Sequence, residues 1–160
     1  MSRIMVVIGI AVVAFAVAAC GGTSGGGYGG GGGSTASSSS GKGSVALAST
    51  KLGKVLVDGS GRTLYLFEAD KGAMSTCDGA CASAWPPLTT SGKPSVGAGV
   101  VAAKLGTAKR ADGTTGVTYD GHPLYTYAGD GAPGQTTGEG LTDYGAPWYA
   151  LSPAGKTVVG

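Results

Sequence analysis

A chain of 160 residues with a formal net charge of +2 and 12% charged residues has room for one domain of ordinary size. Residues 45–160 carry seven Lys and two Arg against seven Asp and two Glu, so that part is close to neutral. It holds no cationic run that could track phosphates or seek anionic lipid, which excludes nucleic acid as the partner.

Residues 1–19 read as a lipoprotein signal peptide. Arg3 precedes an uninterrupted apolar run over residues 4–19 that closes on small residues, the layout of a secretory signal. Sixteen apolar residues fall short of the roughly 20 needed to cross a bilayer comfortably. Val17-Ala18-Ala19-Cys20 is similar to a bacterial lipobox, in which the cysteine takes an acyl anchor on its thiol and becomes the first residue of the mature chain. The expectation is a lipoprotein held to the bilayer at the extracytoplasmic face of the cell membrane through lipidated, palmitate-bearing Cys20. At about 0.8 kcal/mol per buried methylene, two acyl chains hold far more firmly than one.

Residues 20–44 follow as the lipidated cysteine and a linker made almost wholly of Gly, Ser and Thr. That composition has no apolar area to bury and is expected to be disordered. Its flexible reach is roughly 25–30 Å, enough to lift a domain clear of the headgroups. Gly22-Thr23-Ser24-Gly25-Gly26 spells the G-x-S-x-G pattern of hydrolases, but that motif needs a strand before it and a helix after it. With Cys20 assigned to lipid, Cys77 and Cys81 remain as an even pair in an exported chain, and a disulfide is expected. Its short loop removes about 2 kcal/mol of unfolded-chain entropy, so it pins a local turn. A metal or redox role is disfavoured, since the pair lacks C-x-x-C spacing and Ala82 stands where haem attachment needs a histidine.

Residues 45–160 contain an internal repeat. DGSGRTLYLFEAD at 58–70 aligns with DGHPLYTYAGD at 120–130 once two turn residues are dropped, and WPPLTTSGK at 85–93 aligns without a gap with WYALSPAGK at 148–156. The copies run over about 52–95 and 105–158. Short runs rich in β-branched and aromatic residues lie between turn signals, and five of the seven aspartates precede glycine, the pair that tight hairpin turns favour. The fold class is therefore all-β: antiparallel hairpins and meanders forming two similar repeats packed against each other in one domain. Residues 105–127 read as a three-stranded meander turning at Asp112-Gly113 and Asp120-Gly121. Only residues 96–106 could hold a helical turn, and sandwich against barrel stays open.

Within each copy Tyr-x-aromatic-x-x-Asp recurs, as Tyr65, Phe67 and Asp70 and again as Tyr125, Tyr127 and Asp130, each followed by a tryptophan, Trp85 or Trp148. Side-chain alternation puts Tyr65 and Phe67 on one strand face and Leu64 and Leu66 on the other. A turn aspartate accepts hydrogen bonds from nearby amides and a buried tyrosine hydroxyl needs a partner, so one motif can satisfy both as a structural lock. These features, with the lipoprotein leader, resemble the bacterial secreted-repeat lipoprotein family, which has a Y-x4-D motif in tandem copies. The resemblance implies location and architecture, and its function is unknown: it brings no activity, cofactor or catalytic residue.

The residues themselves offer three readings. A non-enzymatic binding or structural module would use Tyr65, Tyr125, Trp85 and Trp148 as stacking surfaces beside a carboxylate, for an envelope protein or a saccharide. Extracytoplasmic metal handling would draw on Glu68, Asp70, Asp120, Asp130, the single His122 and Met74, thin support when transition-metal sites lean on clustered His and Cys. An envelope hydrolase would need Asp70 and Asp130 as paired carboxylates in a cleft. The first reading is expected, with no cofactor and no catalysis.

Overall fold

The computed structural model describes residues 43–160; the signal peptide, Cys20 and all but the last two residues of the linker lie outside the described residues. The chain opens as a hairpin of β1 (Ser44–Thr50) and β2 (Gly53–Asp58), with Val45 opposite Asp58 and Thr50 opposite Gly53. Further on, β5 (Leu105–Lys109), β6 (Thr115–Tyr119) and β7 (His122–Pro123) form the expected meander. Its second turn holds Asp120 at φ +50° and Gly121 at +83°, the consecutive left-handed pair that a two-residue hairpin requires and Asp-Gly supplies.

The remaining strands are β3 (Tyr65–Phe67), β4 (Ser95–Val96), β8 (Thr142–Asp143) and β9 (Ala146–Ala150). Together the strands make three small sheets, ordered β2-β1-β4, β3-β9-β8 and β5-β6-β7. The helical turn expected in 96–106 is a 3-10 turn at Ala102–Lys104. A second helical segment, α1 (Ala80–Ala84), has too few residues to show a periodic pattern. Local constraint holds it instead: Gly79 precedes it at φ +56°, and the Cys77–Cys81 disulfide expected from CDGAC is formed across its start.

Matching hydrogen bonds identify the two copies. Leu56 N–H donates to Leu151 O and Val117 N–H to Leu88 O, both at 2.8 Å, while Leu64 N–H reaches Leu56 O at 2.9 Å and Leu124 N–H reaches Val117 O at 3.0 Å. The β1–β2 hairpin thus corresponds to β5–β6, and the first copy begins at β1, ahead of residue 52 where the sequence match starts.

The copies do more than pack side by side: they exchange segments. β3 of the first pairs with β9 of the second, Tyr65 opposite Ala150 and Phe67 opposite Trp148. In return residues 125–128 run along 84–87, where Thr126 N–H donates to Pro86 O and Ala128 N–H to Ala84 O, both at 2.9 Å. Pro86 and Pro87 have no N–H to return, so this ladder is thinner than its counterpart. Midway, Tyr65 N–H donates to Tyr125 O at 2.8 Å and Tyr125 N–H to Tyr65 O at 3.0 Å, and a pseudo-twofold axis passes between them. Alternation along the exchanged strands sorts the core as expected. Tyr65, Phe67, Tyr125, Trp85 and Trp148 fill one cluster, and Leu64, Leu66 and Leu124 join Val45 and Leu56 in the other.

Candidate functional site

The repeated motif residues converge on the pseudo-twofold axis as a stack of four rings. Phe67 lies on Trp148 at 4.1 Å between centroids, Trp148 on Trp85 at 3.9 Å with planes 5° apart, and Trp85 on Tyr127 at 4.3 Å. The rings alternate between copies, so each copy's tryptophan is sandwiched by the other's. Tyr65 meets Trp85 edge-on at 5.4 Å and Tyr125 meets Trp148 edge-on at 5.2 Å, the arrangement the ring quadrupole favours. Tyr65, Tyr125, Trp85 and Trp148 are each 0% exposed. A stacking cleft, one of the readings the sequence leaves open, therefore does not form at these rings: each tryptophan spends its faces on rings of the other copy, and each tyrosine packs edge-on against the tryptophan of its own copy.

The carboxylates complete a crossed lock. The Tyr65 hydroxyl donates to Asp130 Oδ2 at 2.6 Å, and the Tyr125 hydroxyl donates to Asp70 Oδ2 at 2.7 Å. The other oxygen of each carboxylate collects its own turn: Asp130 Oδ1 accepts from Thr137 N–H at 2.9 Å and its hydroxyl at 2.6 Å, and Asp70 Oδ1 accepts from Thr76 N–H at 2.7 Å and its hydroxyl at 2.9 Å. Each aspartate fixes its own loop and clasps the tyrosine of the other copy. Above Tyr65, Gly138 N–H donates to the phenol oxygen at 3.3 Å. A Cβ at Gly138 would come within 2.8 Å of the Trp85 ring and 3.0 Å of Tyr65, so the close approach requires glycine.

Burial, with the adjoining Asp130 carboxylate second, pushes the Tyr65 phenol far above its ordinary range. Burial does the same to Tyr125; the Ser75 hydroxyl opposes the rise and Asp70 adds to it. The folded-state pKa values exceed the unfolded value of about 10, so the stability these phenols contribute is fully present below that pH and lost as pH rises past it. Alkaline titration followed by phenolate absorbance should show two of the six tyrosines in 43–160 ionising only as the domain unfolds. Reversible ionisation of Tyr65 and Tyr125 near pH 10 with the fold intact contradicts this lock.

Sequence reasoning missed a third crossed connection. Arg110, 7% exposed in the second copy's hairpin, donates from Nη2 to Cys77 O at 2.7 Å and to Asp78 Oδ1 at 2.9 Å, and from Nη1 to Ser75 Oγ. Ser75 Oγ is in turn 2.7 Å from the Tyr125 hydroxyl, which joins the clamp to the lock. The hydroxyl pair after each aspartate, Ser75-Thr76 and Thr136-Thr137, signals the loop side of each clasp, and nothing in the repeat signals Arg110.

The metal candidates are not brought together. Glu68 and Asp120 are exposed, and Met74 is 71% exposed. Asp120 Oδ1 pairs with Lys104 Nζ at 2.8 Å, and that ammonium holds the carboxyl below its ordinary range. His122 sits in β7 opposite Tyr119. Among the described residues no group of three or more His, Cys, Asp or Glu is placed to hold a metal ion. Asp70 and Asp130 each serve a separate clasp. Among the described residues no helix is long and apolar enough to cross a membrane.

Two tandem matches agree with this duplicated geometry: a family model described as a secreted repeat of unknown function matches residues 46–89 and again 106–152. Neither match touches the leader or linker, and each takes in most of one hairpin and one Tyr-x-aromatic-x-x-Asp motif; the first runs on through α1 and the second through β8 and β9. No curated protein matches the chain, and no solved structure does. On two matches that cover more than half of its length, the chain belongs to the family of secreted repeats of unknown function.

Proposed function

We propose that this protein is a lipid-anchored module of the cell envelope that acts by binding or structural association, without catalysis. Acylated Cys20 holds it to the outer face of the membrane, and the Gly/Ser-rich linker gives the domain its reach. A secreted repeat acts outside the cytoplasm, which agrees with an exported, disulfide-bonded domain. The observation that carries the reading is the internal use of the repeated motif: both hydroxyls and both carboxylates of Tyr65, Tyr125, Asp70 and Asp130 are engaged by one another and by their own loops. A general acid or nucleophile needs a free lone pair or proton facing substrate, and the crossed clasps take these up. What remains for function is the surface the locked core presents to an envelope protein or saccharide.

Labelling with a palmitate analogue tests the anchor. The native chain should incorporate label and sediment with membranes, and Cys20→Ala should lose the label. Undiminished labelling of the Cys20→Ala chain would show that the anchor lies elsewhere.

A further inference from the structure

The pseudo-twofold relation exposes one place where the copies differ in occupancy. In the first copy's loop, Ser75 Oγ, Cys77 O and Asp78 Oδ1 together hold the Arg110 guanidinium. Since Thr76 and Thr137 bind their aspartates in the same way, the second copy matches these positions with Thr136, Gly138 and Glu139. Counting three residues on from the matched positions Leu47 and Thr107 puts Thr50 where the second copy has Arg110. The first copy thus offers a tight turn and a short side chain where its sibling offers a guanidinium.

The second cradle is correspondingly unfilled. Thr136, 3% exposed, has its hydroxyl oxygen buried without a partner among the described residues, and so does Glu139 Oε1. Buried polar atoms left in this state are uncommon and costly. Glu139 keeps one oxygen engaged, Oε2 accepting from Ala150 N–H at 2.6 Å. Asp78 has no such bond, since the position matching Ala150 is Pro87. Burial raises the Glu139 carboxyl above its ordinary range. Thr136, Thr137 and Glu139 line a cavity of about 450 Å³ with Lys51 and Leu52 of the β1–β2 turn.

We infer that this cavity is a receptor for an external guanidinium group, the side chain of arginine, which would occupy in the second copy the place that Arg110 fills in the first. A guanidinium presents a planar fork of N–H donors, and the matching acceptors are Thr136 Oγ1 and Glu139 Oε1, which lie shut beneath the cavity lining and are reached once their side chains turn toward the ligand. Lys51 at the exposed rim is partner to neither atom. The inference goes beyond the proposed function, and it does not depend on lipid anchoring.

The test uses the full chain in detergent and three probes: agmatine, a capped Gly-Arg-Gly peptide, and the same peptide with citrulline, which keeps the shape and loses the charge. Both guanidinium probes, or the peptide alone if the group must come from a polypeptide, should shift the amide signals of Thr136, Thr137, Glu139 and Ala150. Citrulline should bind at least about tenfold more weakly, the loss of a charge-assisted hydrogen bond. Glu139→Gln keeps an acceptor for Ala150 N–H and should weaken the arginine peptide at least about tenfold. Thr136→Val, of the same shape, should weaken it by a smaller factor. Silence at those four amides with both guanidinium probes, equal binding of the citrulline peptide, or unchanged affinity in a folded Glu139→Gln chain overturns the inference.

Discussion

Asp130→Ala is expected to lower folding stability by about 3–5 kcal/mol, since it orphans the buried Tyr65 hydroxyl and the Thr137 N–H at about 1–3 kcal/mol each and removes a third bond. Asp130 is 4% exposed, so little water reaches the vacated site. Against a total of about 5–15 kcal/mol for a domain, that loss brings the protein near its margin. Asp70→Ala makes the internal control. It breaks the symmetry-related clasp, yet Asp70 is half-buried and water can replace part of what is lost, so about half the effect is expected. Denaturant titrations of both variants should rank Asp130 first; equal and small losses contradict the clasp.

Trp148→Ala is the second large effect, at about 3–5 kcal/mol. Trp148 is 0% exposed, touches Phe67 and Trp85 face to face and Tyr125 by its edge, and donates from Nε1 to Asp143 O at 3.1 Å. Removal leaves a cavity at the pseudo-twofold axis, where exchanged segments of both copies meet and neither can collapse alone. The far-ultraviolet dichroism gives an independent readout. Two indoles stacked at 3.9 Å couple their transitions, and Trp148→Phe should abolish the coupled band while the domain stays folded. Persistence of that band in Trp148→Phe contradicts the stack.

How much of this was legible in the sequence depends on the range of the interaction. Asp-Gly pairs announced the 105–127 meander because a left-handed turn is a local requirement. The alternation of Leu64, Tyr65, Leu66 and Phe67 announced two core faces because side-chain direction along a strand is local too. The Cys77–Cys81 disulfide followed from counting. The site was legible as a list of residues and illegible as an arrangement. That each aspartate clasps the other copy's tyrosine depends on strand exchange, and the same letters would serve a lock closed within one copy. Aromatic residues spell core and cleft alike, and burial decided between them. α1 escaped notice because Gly79 and the disulfide hold five residues that carry no period. Arg110 escaped because it has no equivalent in the other copy, and a search guided by repetition passes over what is not repeated.

Strand exchange is the claim on which the rest stands, and two double-mutant cycles measure it. One pairs Tyr65→Phe with Asp130→Asn, across copies; the other pairs Tyr65→Phe with Asp70→Asn, within a copy. Denaturation should give a coupling of at least about 1 kcal/mol for the first and additivity within about 0.5 kcal/mol for the second. Coupling confined to Tyr65 and Asp70 would mean that each repeat closes on itself, and the crossed architecture would be wrong.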